Sequence, residues 1–297
     1  MNISIIGSRG LSAKLAKKGT STDITLYNTS FQGKYFTFVE PETYPEKIQT
    51  LFQAINMSQF SILYITSDIP RNVLGECIIA LDMLKKPGLI VLDSFPEDEI
   101  KQFVKETHLK TFQILANNNA EIMPALSAIN ALKIEGNPKV LVDHSFDVKS
   151  VGTVVLGTVT SGEIKKHDNL KAYPSGKSAS IRSIQIHDKE FETAVCYDRV
   201  GLSIKGADVS DFPRGTIIAE TMTCAKEVNI ILGKNKFFRD DLPKNVMAVA
   251  GLQYVSALME GGKLIFGKEI ALDSSEIIIL APDKKMRVVG VAKTPKG

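Results

Sequence analysis

The chain has 297 residues, of which 44% are hydrophobic and 23% charged, with a net charge of +3. That is enough apolar content for the cores of two or three domains, and too mild a charge to argue by itself for a nucleic-acid surface. No run approaches the roughly 20 apolar residues of a membrane helix, and no basic segment leading into an apolar stretch opens the chain, so no membrane is expected. The three cysteines, Cys77, Cys196 and Cys224, never form a CxxC. They read as reduced, buried thiols in a cytoplasmic protein. Trp, the best stacking platform for single-stranded bases, is absent.

In chain order, "NISII" reads as a strand and Leu11–Lys18 as a basic helix. "ITLYN" and "YFTFV" read as strands joined by one antiparallel hairpin around "QGKY". The amphipathic helix "YPEKIQTLFQAIN" and the buried strand "SILYIT" come next. The helix "VLGECIIALDMLKK" is stopped by Pro87 and Gly88, and the strand "LIVLD" follows. "PEDEIKQFVKETH" is a helix with an acidic first turn and a basic end, as the helix dipole favours. "TFQIL" is the last strand of this region and "AEIMPALSAINALKIE" the last helix. Strands alternating with helices predict a doubly wound, mostly parallel sheet covered on both faces. At "EGNPK" short β-rich runs broken by Gly, Pro and Asp begin, and no helix follows. A weaker break falls near Glu220–Cys224. The expected division is an α/β domain over 1–136 and two small β-barrels over 137–221 and 222–297, with a frayed basic tail "KTPKG".

"VDHSFDVKSVGTVVLGTVTSGEIKKHDNLKAYP", then "IRSIQIHDKEFETA", "DRVGLSIKG" and "FPRGTIIA", resemble the second domain of translational GTPases. The chain is similar to the selenocysteine-specific elongation factor SelB and to archaeal SelB-like paralogues of elongation factor Tu. Gly152 and Gly157 suit bent, closely packed strands, and Gly162 and Gly215 suit turns. His167 stands where the family has Gly before Asp168. The resemblance implies a P-loop-GTPase-like α/β domain followed by two β-barrels. It also implies that the further C-terminal domain of SelB has no counterpart here.

The family's nucleotide motifs can be followed residue by residue. Its phosphate loop runs from Gly, through four residues, to Gly-Lys-Ser/Thr. Counting from Gly7, the Gly-Lys falls on Ser12 and Ala13, Lys14 comes one residue late, and the connection is shortened. Ser12 reads instead as a helix N-cap, and the helix after Gly10 as a weak anion site. The family's Asp-x-x-Gly-His is matched by Glu40-Pro41-Glu42-Thr43-Tyr44, with Thr43 for the Gly and Tyr44 for the His that orients water. Glu40 and Glu42 read as a solvated loop. The guanine-reading Asn-Lys-x-Asp is matched by Asp93-Ser94-Phe95-Pro96, so Asp93, Ser94 and Pro96 all depart from it. Against the resemblance, then, the expectation is a pseudo-GTPase without catalytic residues, cofactor or metal.

Other constellations read as structural. His167-Asp168 and His187-Asp188 fall in turns between barrel strands, without metal-ligand spacing. His144 beside Asp143 reads as a structural hydrogen-bonding residue. "GKNKFFRDDLPK" mixes basic and aromatic residues as an RNA-contacting loop would, or forms an exposed hairpin. In elongation factor Tu an acidic residue three before Arg-Gly packs near the terminal adenine of transfer RNA. Here Asp211 and Arg214 match it and are the RNA-binding candidates. The implied partners are transfer RNA, the ribosome or a protein, and not DNA. The functional alternatives are a working GTP-dependent elongation factor and a protein-binding scaffold.

Overall fold

The computed structural model describes residues 1–129, 134–272 and 276–295. They form two compact units, Met1–Ala131 and Leu132–Gly297. The first unit begins with β1 (Asn2–Gly7), α1 (Leu11–Leu15), β2 (Lys17–Ser21), β3 (Thr25–Phe31) and β4 (Lys34–Glu40). It continues with α2 (Ile48–Asn56), β5 (Phe60–Thr66), α3 (Arg71–Leu84), β6 (Gly88–Asp93), α4 (Glu97–Val104), β7 (Gln113–Ala116) and α5 (Asn119–Ser127). A 3-10 turn at His108–Thr111 links α4 to β7.

The sheet order is β2-β3-β4-β1-β5-β6-β7. β4, β1, β5, β6 and β7 run parallel, while β2 and β3 are antiparallel additions. The β3–β4 hairpin closes through Gln32 and Gly33, both with positive φ, which is the geometry that matches strand twist in a two-residue loop. Alternation along the strands divides the core. Ile3, Ile5, Phe36, Phe38, Ile62 and Tyr64 pack with Leu11 and Leu15 of α1 and Ile122, Met123 and Leu126 of α5. Each buried Phe there contributes about 1.5–3 kcal/mol. α2 and α3 pack together and against β1 on the opposite face.

The helix expected over Leu11–Lys18 ends at Leu15; from Lys17 the chain is strand β2. Leu11 and Leu15 already bury the helix's only apolar stripe, and Ala16 is extended, so nothing rewards a second turn. β2 then pairs with β3 and forms the edge of the sheet beside the hairpin. The last helix begins at Asn119, one residue before the expected start, and Asn118 caps it, its side chain accepting from the Ala120 amide. It ends at Ser127, short of the expected Glu135, since residues 128–129 and 134–135 are not helical; residues 130–133, and 296–297 of the basic tail, lie outside the described residues.

Among the described residues, the second unit is all β apart from a 3-10 turn at Val209–Asp211. Its strands are β8 (Lys139–Val148), β9 (Gly152–Ser161), β10 (Glu163–Lys165), β11 (Asn169–Tyr173), β12 (Lys177–Ile186), β13 (Lys189–Phe191), β14 (Thr193–Val195), β15 (Arg199–Lys205) and β16 (Ile217–Ala219). They are followed by β17 (Cys224–Asn229), β18 (Ile231–Lys234), β19 (Asn245–Ala250), β20 (Gln253–Glu260), β21 (Lys263–Ala271), β22 (Glu276–Leu280) and β23 (Val288–Lys293). In the order β11-β16-β8-β9-β15-β12 the strands close on themselves, because β11 also pairs with β12. The result is a six-strand barrel carrying β13 as a hairpin. The remaining strands form β17-β21-β20-β19-β22-β23-β18, a curled half-barrel that is the second β domain expected from the sequence.

Two glycines mark close approaches. A Cβ on Gly157 would lie 2.6 Å from the Leu141 carbonyl across β8–β9. Gly215 combines φ +91° with a would-be Cβ 2.7 Å from the Gln253 amide of β20. His167 has φ 75°, the left-handed conformation that suits the family's Gly at this turn. His187 and Asp188 form the two-residue loop between β12 and β13, again with positive φ. No helix among the described residues is long and apolar enough to cross a membrane.

Candidate nucleotide crevice

In an open parallel sheet, ligands sit beyond the carboxyl ends of the strands. Here that edge is formed by the ends of β1, β5, β6 and β7 and by the loop after β4. Gly7 ends β1 with φ +100°, and a Cβ on it would lie 2.3 Å from the Tyr64 carbonyl. The Ser8 amide donates to that same carbonyl at 2.8 Å, and its hydroxyl meets Thr66 Oγ1 at 2.7 Å. Only Ser8, Arg9 and Gly10 separate β1 from α1. The turn folds against β5 rather than around an open space.

The helix cap is Gly10, in a left-handed conformation, and not Ser12, which is fully buried inside the first turn. The reason is steric: a cap residue must leave the helical conformation, and Gly10 does so at φ +96° without a Cβ. Ala13 is exposed on α1, and Lys14 reaches back to Asp93 at 3.7 Å. α1 has five residues, so few aligned dipoles stand behind the anion site expected at its N-terminus. The amide that faces inward, Gly10 N–H, points at Glu40 Oε1, 3.4 Å away.

Glu40 is the second departure from expectation. It is 5% exposed rather than solvated. Burial raises its pKa above the usual carboxylate range, the Gly10 amide and Ser12 hydroxyl pull it back, Glu42 raises it further and Arg9 lowers it. Glu42 stays at the surface, accepting from Thr25 Oγ1 at 3.0 Å and pairing with Arg9 at 3.6 Å. Arg9 also donates to the Tyr44 carbonyl at 3.0 Å.

Thr43 contributes its backbone to this loop: its amide bonds Asp23 O and its carbonyl accepts from Lys47. Tyr44 turns inward and is 4% exposed. Its hydroxyl donates to Glu76 Oε2 at 3.0 Å and approaches the Val73 carbonyl at 3.3 Å, both on α3. Burial, Cys77 and Glu76 together push the phenol well above its ordinary range. Burial also raises the Cys77 thiol to about 12. Tyr44 is thus a strut between the loop after β4 and α3.

At the end of β6, Asp93 Oδ2 accepts from Tyr64 Oη at 2.9 Å and Asn117 Nδ2 at 2.6 Å. Those two hydrogen bonds hold its carboxyl below the usual range, with Lys14 and Ser94 assisting. Ser94 is in a left-handed conformation, and Pro96 caps α4. Asn119 ties the cluster to α1 by donating to the Lys14 carbonyl. Tyr64 and Asn117 were not singled out in the sequence. They lie in a buried strand and a polar run, and only the sheet brings them to Asp93.

In the second unit, Asp211 closes a capping box with Asp208 around its own 3-10 turn. Arg214 donates from Nε to the Asp143 carbonyl at 3.2 Å. Asp143 sits where the β8–β9 register shifts between Val142 and His144, and its carboxylate accepts both guanidinium nitrogens of Arg199. A bulge adds one residue and re-aims its side chain. That places a buried ion pair, with side chains 8% and 12% exposed, at the barrel wall. Arg199 was missed because nothing local to "DRVGLSIKG" indicates its partner 56 residues away. "GKNKFFRDDLPK" is no hairpin, since β18 pairs with β23 and β19 with β20 and β22. Asn235 and Phe238 anchor it in the core, while Phe237 stands exposed with Lys236 Nζ 5.1 Å from its ring.

The family elongation factor Tu domain 2 matches residues 152–219, most of the closed barrel. An uncharacterized protein of Methanocaldococcus jannaschii is 38% identical over 296 residues, covering 96% of each chain. The chain belongs to the elongation factor Tu/SelB-like translational GTPase family. The selenocysteine-specific elongation factor of M. jannaschii is 26% identical over 243 residues, 74% of this chain and 52% of that protein. This member of the family therefore aligns with about half of that relative's length. SelB of Methanococcus maripaludis, solved with the GTP analogue GppNHp, superposes with a TM-score of 0.86 at 21% identity, covering 99% of this chain and 78% of SelB. A bacterial selenocysteine-specific elongation factor gives 0.82 at 19% identity, covering 58% of its own chain. The family is one of GTPase fold, and the two structural matches establish that fold.

Proposed function

We propose that this SelB-like chain is a non-catalytic translation-factor homologue. Its first domain keeps the GTPase architecture without guanine nucleotide, and its β domains bind transfer RNA, the ribosome or a protein partner. The reading treats 1–136, 137–221 and 222–297 as the working domains. One observation carries it: the groups at the three nucleotide-contacting positions are bonded to the protein itself. The Gly10 amide faces Glu40, the Tyr44 phenol is held by α3, and Asp93 is shared by Tyr64 and Asn117. A phosphate loop needs a run of free amides, a lysine and a hydroxyl for magnesium. Here Ser8 and Gly10 face protein acceptors, and Lys14 pairs with Asp93.

The RNA half of the proposal rests on the barrel. The family match spans 152–219 and includes Asp211 and Arg214. Arg214 is anchored to the Asp143 bulge, which sets the direction of its guanidinium. Titration calorimetry with GTP and magnesium separates the readings: no saturable heat is expected. Micromolar, guanine-selective binding would instead establish a working elongation factor. Filter binding of transfer and ribosomal RNA across a salt series tests the other half. A salt-dependent affinity weakened by Arg214→Ala supports it, and none for any RNA removes it.

A further inference from the structure

The parallel sheet of the first unit ends at β7, which among the described residues pairs only with β6. The Asn117 amide donates to Leu92 O of β6 at 2.9 Å. Along a parallel strand, alternate residues turn their N–H and C=O to the same side. Gln113 and Leu115 therefore face β6, while the amides of Ile114 and Ala116 face the open edge. Beside that edge runs a groove of about 530 Å³ between α4, the 3-10 turn and β7. Val104 and Leu109 back it, and half-buried Ile114 stands on its β7 side.

The groove is basic. Lys101, Lys105 and Lys110 line it against a single acid, Glu97, which pairs with Lys101 at 2.6 Å. Lys105 and Lys110 are exposed and meet no carboxylate within ion-pair distance among the described residues. Lysines on an edge strand commonly serve to repel other strands. That reading fits β2, where Lys17 and Lys18 lie on the strand itself and the residues are almost all exposed. It does not fit β7. Its sequence QILA is uncharged, and the lysines stand across the groove, where they face the side chains of an added strand instead of blocking its backbone.

We propose that this edge docks an acidic, extended peptide, which adds to β7 as a further strand. Main-chain pairing to Ile114 and Ala116 supplies the register. Alternate apolar side chains cover Ile114 in the groove, and carboxylates meet Lys105 and Lys110. Single-stranded RNA would satisfy the lysines and leave the edge amides unpaired. The inference is independent of the nucleotide and RNA readings, which rest on other residues.

The test uses the full chain and a fluorescent octapeptide of alternating Glu and Val, with a Lys-Val octapeptide, oligoglutamate and an RNA oligomer as controls. Anisotropy should show saturable binding of the Glu-Val peptide alone. The double variant Lys105→Glu/Lys110→Glu should weaken it by about tenfold or more. Binding should slow amide exchange at Ile114 and Ala116. Ile114→Pro removes one outward donor without touching the β6 ladder and should abolish binding; if that variant fails to fold, the exchange measurement decides. The proposal is overturned by an absence of peptide binding, by equal affinity in the double variant, or by binding that leaves both amides exchanging as before. Equal binding of oligoglutamate or of the RNA oligomer would overturn it too, in favour of a charge-only surface.

Discussion

The crevice of the α/β unit and the wall of the β-barrel both bury charge, but they handle it differently. At the barrel wall Asp143 and Arg199 form a two-pronged ion pair, and Arg214 takes the adjacent carbonyl. Each charge there is met by its opposite. In the crevice Glu40 is buried against one long amide contact and a serine hydroxyl, with Arg9 and Glu42 nearer the surface. The first arrangement is a structural joint whose removal leaves a charge stranded. The second holds a carboxylate whose burial disfavours its charged form. The comparison shows that a buried charge met by its opposite and a buried charge met only by neutral donors are held by different means in one chain.

The largest effect should come from the barrel. Asp143→Ala leaves the Arg199 guanidinium unpaired and should cost about 3–5 kcal/mol, read as a drop in the denaturation midpoint of the second unit. A midpoint unchanged from wild type would remove the contrast between the two regions. Next is Gly7→Ala, where positive φ and a Cβ 2.3 Å from a carbonyl act together. A loss of about 3 kcal/mol is expected. Gly10→Ala, with positive φ and open space, should cost only about 1–2 kcal/mol, so the difference isolates the packing of the turn against β5.

Tyr44→Phe removes the donor to Glu76 and should cost about 1–3 kcal/mol in thermal or chemical denaturation. Tyr44→His, which restores the family's residue, should also destabilise and should confer no GTP hydrolysis in a phosphate-release assay. Hydrolysis by that variant would mean that the crevice is still organised for chemistry.

The smallest effect is a pH dependence. The folded pKa of Glu40 is raised, so between its unfolded and folded values the native state holds the extra proton. Stability from this group is fully present below the unfolded pKa of about 4.3 and is lost as pH rises through the folded value. Glu40→Gln should melt above wild type at pH 8, and the gap should close as the pH falls through the folded value toward the unfolded one. A gap independent of pH would show that the carboxylate carries no net penalty. Asp93 has the opposite sign: its contribution is present above the unfolded value of about 3.9 and is lost below it. Asp93→Asn should therefore matter at neutral pH and become neutral in strong acid.

Local pattern determined much of this molecule. The alternation of apolar runs and helix signals up to residue 136 specified a doubly wound sheet, because burial on two faces demands that periodicity. Gln32-Gly33 specified a two-residue hairpin, and Gly162 and His167 marked turns, because few residues accept positive φ. The glycine spacing of the barrel carried the family signal, since Gly157 and Gly215 occupy contacts no side chain can enter. What tertiary structure decided was direction and partnership. Glu40 reads as a loop acid until the sheet buries it, and Tyr44 as a departure from the family's His until α3 claims its hydroxyl. Arg199 reads as an ordinary strand residue until a bulge in β8 turns Asp143 toward it. Backbone propensity and hydrophobic period are local quantities, so they can be read along the chain. The partner of a buried polar group depends on which distant strand lies beside it, and that is fixed only when the sheets close.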